Sequence, residues 1–353
     1  MGSIFLADVK TSDAAWHPDE VEGFYELWDF YSLYEQGYKC IIDFFSRPWY
    51  PLCEYQVAEA NLPLIIVRIT TPDNVTHVCS QSYPVSSFKA STETCDITMG
   101  NNRVTSKSNA SGFPEEFHVK VAEGNLAADL TWRVRVRGIK MTAREDGFSY
   151  YHPVTKQYFA SFTIAVSSEI EGTITVNGKS TKVSGIGFNN YNRGTKSISD
   201  IQSRWLFAAI YAGDYTIYYN DSTATKQYKY AHFTPFILWK GSEVILSTYN
   251  CASYPERFDI DPVSKGPYPV EETLRASDEN IEVKGRLLPG VLVENTKVTD
   301  LPGSPFTPTN PAFHFFQFSE AELEIKRGEQ VEKLKGQAVR EFTWLDEWFP
   351  YRK

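Results

Sequence analysis

The chain has 353 residues, a length that suits about two domains or one large one. With 42% hydrophobic and 22% charged residues it is not a disordered chain, and a net charge of −9 argues against a general nucleic-acid binder. No apolar run reaches the ~18–20 residues of a membrane-spanning helix; runs such as Leu62 to Val67 are strand-sized.

The first residues, MGSIFLADVKTSDAAW, carry Asp8 and lack a long apolar stretch, so they do not read as a secretion signal. The cysteines (Cys40, Cys53, Cys79, Cys95, Cys251) are odd in number and form no CxxC pair, which argues against a disulfide framework or a zinc site. A cytoplasmic protein is the expectation. The sequons at Asn74, Asn109 and Asn220 then read as chance matches.

Next comes DEVEGFYELWDFYSLYEQ (19–36), the best helix-like pattern in the chain. Gly23 and its dense aromatics suit a strand better. Beyond it the dominant period is two, the strand period. Leu130, Trp132, Val134 and Val136 alternate with Thr131, Arg133, Arg135 and Arg137, and Phe162, Ile164 and Val166 repeat the pattern. Asn177-Gly178 joins two such runs as a hairpin, because this pair tolerates the positive φ of a two-residue turn.

Further strands are expected at 205–211, 214–219, 243–249, 281–288 and 313–325. Residues 288–311, rich in Pro and Gly, read as a long loop between the last two. The run AVREFTWLDEWF near the end reads as a strand or a short terminal helix. So many short strands imply an all-β sandwich or barrel. A domain change is expected near residue 200, dividing the chain into 1–200 and 201–353.

The sequence contains no nucleophile elbow, phosphate loop, zinc-protease motif, dinucleotide fingerprint or calcium loop. The six histidines (17, 77, 118, 152, 232, 314) are scattered, with no pair at ligand spacing, so neither a metal nor a cofactor is expected. Two segments stand out. In the first, Glu26 and Asp29 lie among Trp28, Phe30 and Tyr31. A buried acid is costly unless paired or solvated, so acids on an aromatic strand are unusual. Glu26 and Trp28 would share one face, Asp29 and Tyr31 the other. The second segment is Gly185-Ile186-Gly187-Phe188-Asn189-Asn190-Tyr191-Asn192-Arg193-Gly194, which sets neutral and cationic donors between glycines.

The run KQYFASFTIAVSSEIEGTITVNGKSTKVSGIGFNNYNRG followed by RWLFAAIYAGDYTIYY resembles the carotenoid 1,2-hydratase / AttH-like lipocalin-type family. ELWDFYSLYEQGYKCIIDFF is similar to that family's opening strand. The resemblance covers roughly residues 22–45 and 150–220. It implies two lipocalin-like antiparallel β-barrels side by side, with the ligand cavity at or near their junction. Where the family pattern has His-Asp-His-Asn-Trp, this chain has Asn189-Asn190-Tyr191-Asn192-Arg193, and Asn192 alone is retained.

A hydratase needs a strong proton donor such as a carboxylic acid of raised pKa, which Asn190 cannot be; Glu26 or Asp29 would have to substitute. The family also includes cofactor-free cyclases of fungal secondary metabolism that have lost the acidic motif. A pericyclic step asks for one folded conformer and a hydrogen bond to a carbonyl. The expectation is therefore a cofactor-independent cyclase performing a Diels–Alder or hetero-Diels–Alder cycloaddition on a hydrophobic polyene, polyketide or terpenoid. The alternatives are a hydratase, dehydratase or isomerase of a terpenoid alkene, and a non-catalytic carrier. Asn190, Asn192, Arg193, Glu26 and Asp29 are the candidate catalytic residues. Trp28, Tyr191, Trp205 and Tyr215 are the candidate substrate-binding surfaces. All are expected to converge on one cavity.

Overall fold

A computed structural model describes residues 6–21, 24–47, 62–140, 142, 147–196, 198–297 and 312–345. They divide into two compact units, and the second begins at Ile198. Among the described residues the helical pieces are four short 3₁₀ turns, and everything else regular is strand. No described helix is long and apolar enough to cross a membrane.

The first unit carries β1 (Ala7–Asp8), β2 (Tyr25–Tyr34), β3 (Lys39–Phe45), β4 (Leu64–Thr70), β5 (Thr76–Ser82), β6 (Phe88–Ala90) and β7 (Asp96–Met99). It continues with β8 (Asn102–Ser108), β9 (Pro114–Glu123), β10 (Leu126–Lys140), β11 (Phe148–Tyr151), β12 (Tyr158–Val176) and β13 (Lys179–Gly194). Its sheet runs in the order β5-β4-β3-β2-β13-β12-β10-β9-β8-β7-β6.

The second unit carries β14 (Gln202–Ala212), β15 (Tyr215–Ala224), β16 (His232–Phe233), β17 (Phe236–Lys240) and β18 (Glu243–Thr248). Then come β19 (Cys251–Ile260), β20 (Pro267–Ser277), β21 (Ile281–Lys297), β22 (Phe313–Arg327) and β23 (Gln330–Trp344). Its order is β18-β17-β15-β14-β23-β22-β21-β20-β19. Each unit is thus an antiparallel meander whose first long strand is hydrogen-bonded to its last, β2 to β13 and β14 to β23. Curled sheets of this kind are lipocalin-like barrels.

The 19–36 segment forms a strand, β2. Every residue of β2 is buried, so its pattern is continuous rather than alternating, which explains the helix-like appearance of its aromatic spacing. Asn177 and Gly178 have φ of 51° and 77° and turn β12 into β13, the two-residue geometry expected there. The alternation in β10 holds until a bulge at Val134–Arg137 shifts the register.

One expectation fails in part. Residues 288–297 are not loop, because β21 continues to Lys297 and pairs along β22. Pro289 and Gly290 fall where the register shifts between Leu287 and Gly290, so Pro and Gly mark a bulge there and not an end. Residues 298–311 lie outside the described residues. So does the end of AVREFTWLDEWF; its first part belongs to β23.

Each barrel encloses its own core. In the first, Trp28, Phe30, Phe44, Phe117, Trp132 and Phe162 meet. Among the described residues the second holds one apolar cluster around Ile210, Ile217, Leu274 and Leu323 and another around Leu206, Phe315, Phe342 and Trp344.

Candidate functional site

The β2–β13 ladder decides which candidate residues meet. Arg193 stands opposite Glu26, Tyr191 opposite Trp28, Asn190 opposite Asp29 and Asn192 opposite Leu27. Alternation sends Glu26, Trp28, Tyr191 and Arg193 to the enclosed face, where Trp28 and Tyr191 join the core. Asp29, Asn190 and Asn192 fall on the opposite face. Expected as one cluster, the polar residues of the two strands are therefore split by a one-residue offset.

On the enclosed face, Glu26 is fully buried. Its Oε1 accepts from the Tyr191 hydroxyl at 2.8 Å and from the His17 backbone N–H at 2.9 Å. His17 Nδ1 lies 3.0 Å from the Tyr191 oxygen. With the Tyr191 hydroxyl donating to Glu26, the Nδ1–H tautomer of His17 completes the chain by donating to Tyr191. His17 is partly exposed and forms the outer end of this relay. The other carboxyl oxygen, Oε2, is buried with no hydrogen-bond partner. Burial pushes the Glu26 carboxyl above the usual carboxylate range; the hydrogen bonds from His17 and Tyr191 pull it down by less.

Aromatic rings wall this group. Trp28 lies 5.8 Å from Tyr191 and 6.4 Å from Trp16, and Phe162 lies 5.0 Å from Tyr191. Trp28 itself is fixed by its indole N–H, which donates 2.8 Å to the Ala14 carbonyl. The Arg193 guanidinium sits 5.7 Å over the Phe148 ring, and Phe148 stacks on Tyr158 at 4.3 Å. The Tyr158 hydroxyl donates 3.1 Å to Asp19.

On the opposite face, Asp29 is 3% exposed and accepts from the Asn192 amide at 3.3 Å. It stands opposite Asp43, and Arg68 is hydrogen-bonded to Asp43. The Asn190 side-chain oxygen is buried without a hydrogen-bond partner.

Trp205 and Tyr215 belong to the second unit. They lie on opposite faces and toward opposite ends of the β14–β15 hairpin, roughly 20 Å apart along the strands. Tyr215 is a core residue whose hydroxyl donates 2.7 Å to Glu332. Trp205 donates its indole N–H to Glu341, which also accepts from Thr343 at 3.1 Å and contacts His314 Nε2 at 2.9 Å. The other His314 nitrogen bonds to Glu294. Burial works against a charged His314, and the two carboxylates together outweigh it, lifting its pKa to about 10. Both ring nitrogens are thereby occupied, so His314 links two glutamates and has no N–H left for a substrate.

Sequence reasoning missed His17, His314, Glu294 and Glu341. Their partners lie 9 to 174 residues away in the chain, so no local spacing marks them. Among the described residues no group of His, Cys, Asp and Glu has the arrangement of a metal site.

No family model and no curated protein sequence matches the chain. Solved structures do. A putative AttH (NE1406) from Nitrosomonas europaea is 12% identical with a TM-score of 0.62, covering 94% of this chain and 95% of its own. CghA is 12% identical with a TM-score of 0.64, over 99% and 96%. Kievitone hydratase from Nectria haematococca is 13% identical with a TM-score of 0.56, over 96% and 94%. The chain shares the fold of all three. At these identities the likeness is one of fold along nearly the whole chain, and a role must be argued from the side chains.

Proposed function

We propose that the protein is a cofactor-independent cyclase of secondary-metabolite biosynthesis, acting on a hydrophobic, polyunsaturated polyene, polyketide or terpenoid by a Diels–Alder or hetero-Diels–Alder cycloaddition. The observation that carries this is Glu26, a buried carboxyl of raised proton affinity with one oxygen held by Tyr191 and His17 and the other unpartnered. A neutral carboxylic acid in an apolar wall donates a strong hydrogen bond to a carbonyl oxygen. That bond draws electron density from the conjugated partner of a cycloaddition and strengthens as charge builds in the transition state. Trp16, Trp28, Tyr191 and Phe162 supply flat surfaces that hold an unsaturated chain in one folded conformer. Arg193, opposite Glu26, supplies a cationic donor on the same face.

The same acid favours a second reading. If Glu26 transfers its proton fully, it can protonate an alkene or a leaving hydroxyl, and the enzyme is a hydratase or dehydratase. The fold of kievitone hydratase keeps this reading in play. Incubation of the purified protein with candidate polyenes in ¹⁸O-labelled water separates the two. A cyclised isomer of unchanged mass supports the cyclase. Gain of labelled oxygen or loss of water supports the second reading. Ligand binding with no turnover of any polyene leaves a carrier and overturns both.

A further inference from the structure

The core of the second barrel is interrupted. Between the apolar clusters around Ile210 and Phe315 lies a buried polar layer made by Arg340, Gln317, Glu272 and Tyr219. Arg340 is 2% exposed and points to the enclosed face, opposite Gln317 on β22 and Ala208 on β14. Its Nη2 donates to the Gln317 side chain at 2.8 Å, to the Val270 carbonyl at 2.8 Å and to the Leu288 carbonyl at 3.3 Å. Gln317 is itself pinned by a 2.9 Å bond to the Pro269 carbonyl. The rest of the guanidinium is different. Nε and Nη1 are buried and have no hydrogen-bond partner. Glu272, held by the Tyr219 hydroxyl, stops 4.0 Å short of Nη1. Three of the five N–H donors of a buried arginine thus make no hydrogen bond, and Glu272 balances the charge only as a long ion pair, an expensive arrangement unless a closer acceptor is supplied.

The cluster on one side of this layer is aromatic. Phe315 packs 5.4 Å from Tyr268 and 6.3 Å from Phe342, and Phe258 lies 6.1 Å from Phe342. Phe258, Tyr268 and Leu292 are only partly buried, so this end of the barrel reaches solvent. Barrels of this class are suited to enclosing one small ligand.

We propose that the interior of the second barrel is a binding site for a hydrophobic, unsaturated molecule bearing an oxygen-acceptor head, with Arg340 Nε and Nη1 as the anchor and the Phe315–Phe342–Tyr268 rings as the wall. A carboxylate head, which accepts two bonds in the plane of the guanidinium, fits these donors best. The site is built from the second unit alone and does not depend on Glu26.

The test uses the full chain and a fluorescent conjugated tetraene fatty acid, with its methyl ester as the neutral comparison. The acid is expected to bind about tenfold more tightly than the ester. Arg340→Met should erase that difference, weakening the acid about tenfold and the ester little. Glu272→Gln, which removes the competing carboxylate, should tighten the acid a few-fold, a gain that a purely structural role would not give. If Arg340→Met does not fold, hydrogen exchange on the wild-type chain keeps the test open: the acid should protect β20, β22 and β23 and leave β2 and β13 unchanged. Equal binding of acid and ester to the wild type, acid binding unaltered in Arg340→Met, protection confined to the first unit, or no binding of either probe would each overturn the proposal.

Discussion

Tyr191 and Glu26 sit diagonally across the β2–β13 ladder, and the Tyr191 hydroxyl donates to Glu26 Oε1 over 2.8 Å while its oxygen lies 3.0 Å from His17 Nδ1. One carboxyl oxygen is thereby fixed and the other left without a protein partner. Glu26→Gln keeps the shape and removes the acid. It is expected to lower turnover by about 10²–10³, the cost of removing one donor aimed at developing charge. Its melting temperature should stay level or rise, since a buried carboxyl of raised proton affinity gives way to a neutral amide. Full turnover in Glu26→Gln would remove Glu26 from the reaction.

The acid form of Glu26 is the working one, so activity should fall as pH rises through its raised pKa. The sign for stability follows from linkage. Between the unfolded carboxyl's pKa, about 4.3, and the native one, the native chain holds a proton that the unfolded chain releases. Stability contributed by this group therefore falls as pH rises through that window and is level above it. Glu26→Gln should flatten both the activity limb and this stability slope. Paired pH–rate and pH–denaturation profiles of wild type and variant check it.

The two faces of the ladder give a direct comparison. Arg193→Ala removes a cation opposite Glu26, and Asn192→Ala removes a 3.3 Å hydrogen bond to Asp29 on the other face. We expect Arg193→Ala to lose turnover beyond any loss of stability. Asn192→Ala should cost about 1 kcal/mol of stability and leave turnover near wild type. The reverse result would move the reaction to the Asp29–Asn190–Asn192 face.

How much of this was legible in the sequence follows from the range of the interactions. Period-two alternation and Asn177-Gly178 are local signals, and they located strands and a hairpin correctly. Pro289 and Gly290 carry the same local signal as a loop, yet pairing with β22 across a bulge overrides it. Pairing Glu26 with Arg193 and Asp29 with Asn190 needs the register of strands about 160 residues apart, which no single sequence states. His17 and His314 are invisible for the same reason: each gains its partners only when distant strands close the barrel.

Glycine in β13 answers to a physical need that a substitution can probe. A Cβ on Gly187 would run into the Tyr31 carbonyl of the neighbouring strand and lie 2.9 Å from the Ile170 side chain. Gly187→Ala is therefore expected to destabilise by about 1–3 kcal/mol, the usual range for overpacking. Gly178, in an open turn at φ of 77°, meets nothing within 4 Å, so Gly178→Ala is strained by its backbone alone. Both losses are read as shifts in denaturation midpoint at constant slope. A wild-type midpoint in Gly187→Ala would mean that β2 and β13 are not packed as closely as described.

The His314 cluster sets a second pH dependence, opposite in origin to that of Glu26. Glu294 and Glu341 hold the imidazole charged up to about pH 10, whereas in the unfolded chain it loses its proton near 6.5. Its folded-state pKa is raised, so the stabilisation is complete below about pH 6.5 and is lost as pH climbs toward 10. His314→Phe removes the proton-binding group and leaves two buried carboxylates facing an apolar ring. That variant should be destabilised most at neutral pH, and its deficit relative to wild type should shrink as pH approaches 10. Because Trp205 donates to Glu341, its fluorescence reports on the cluster directly. In the wild type the signal should change in the same alkaline window, and in His314→Phe that change should be absent. A wild-type stability curve level from pH 6 to 10, with no Trp205 response, would mean that His314 is neutral in the folded protein.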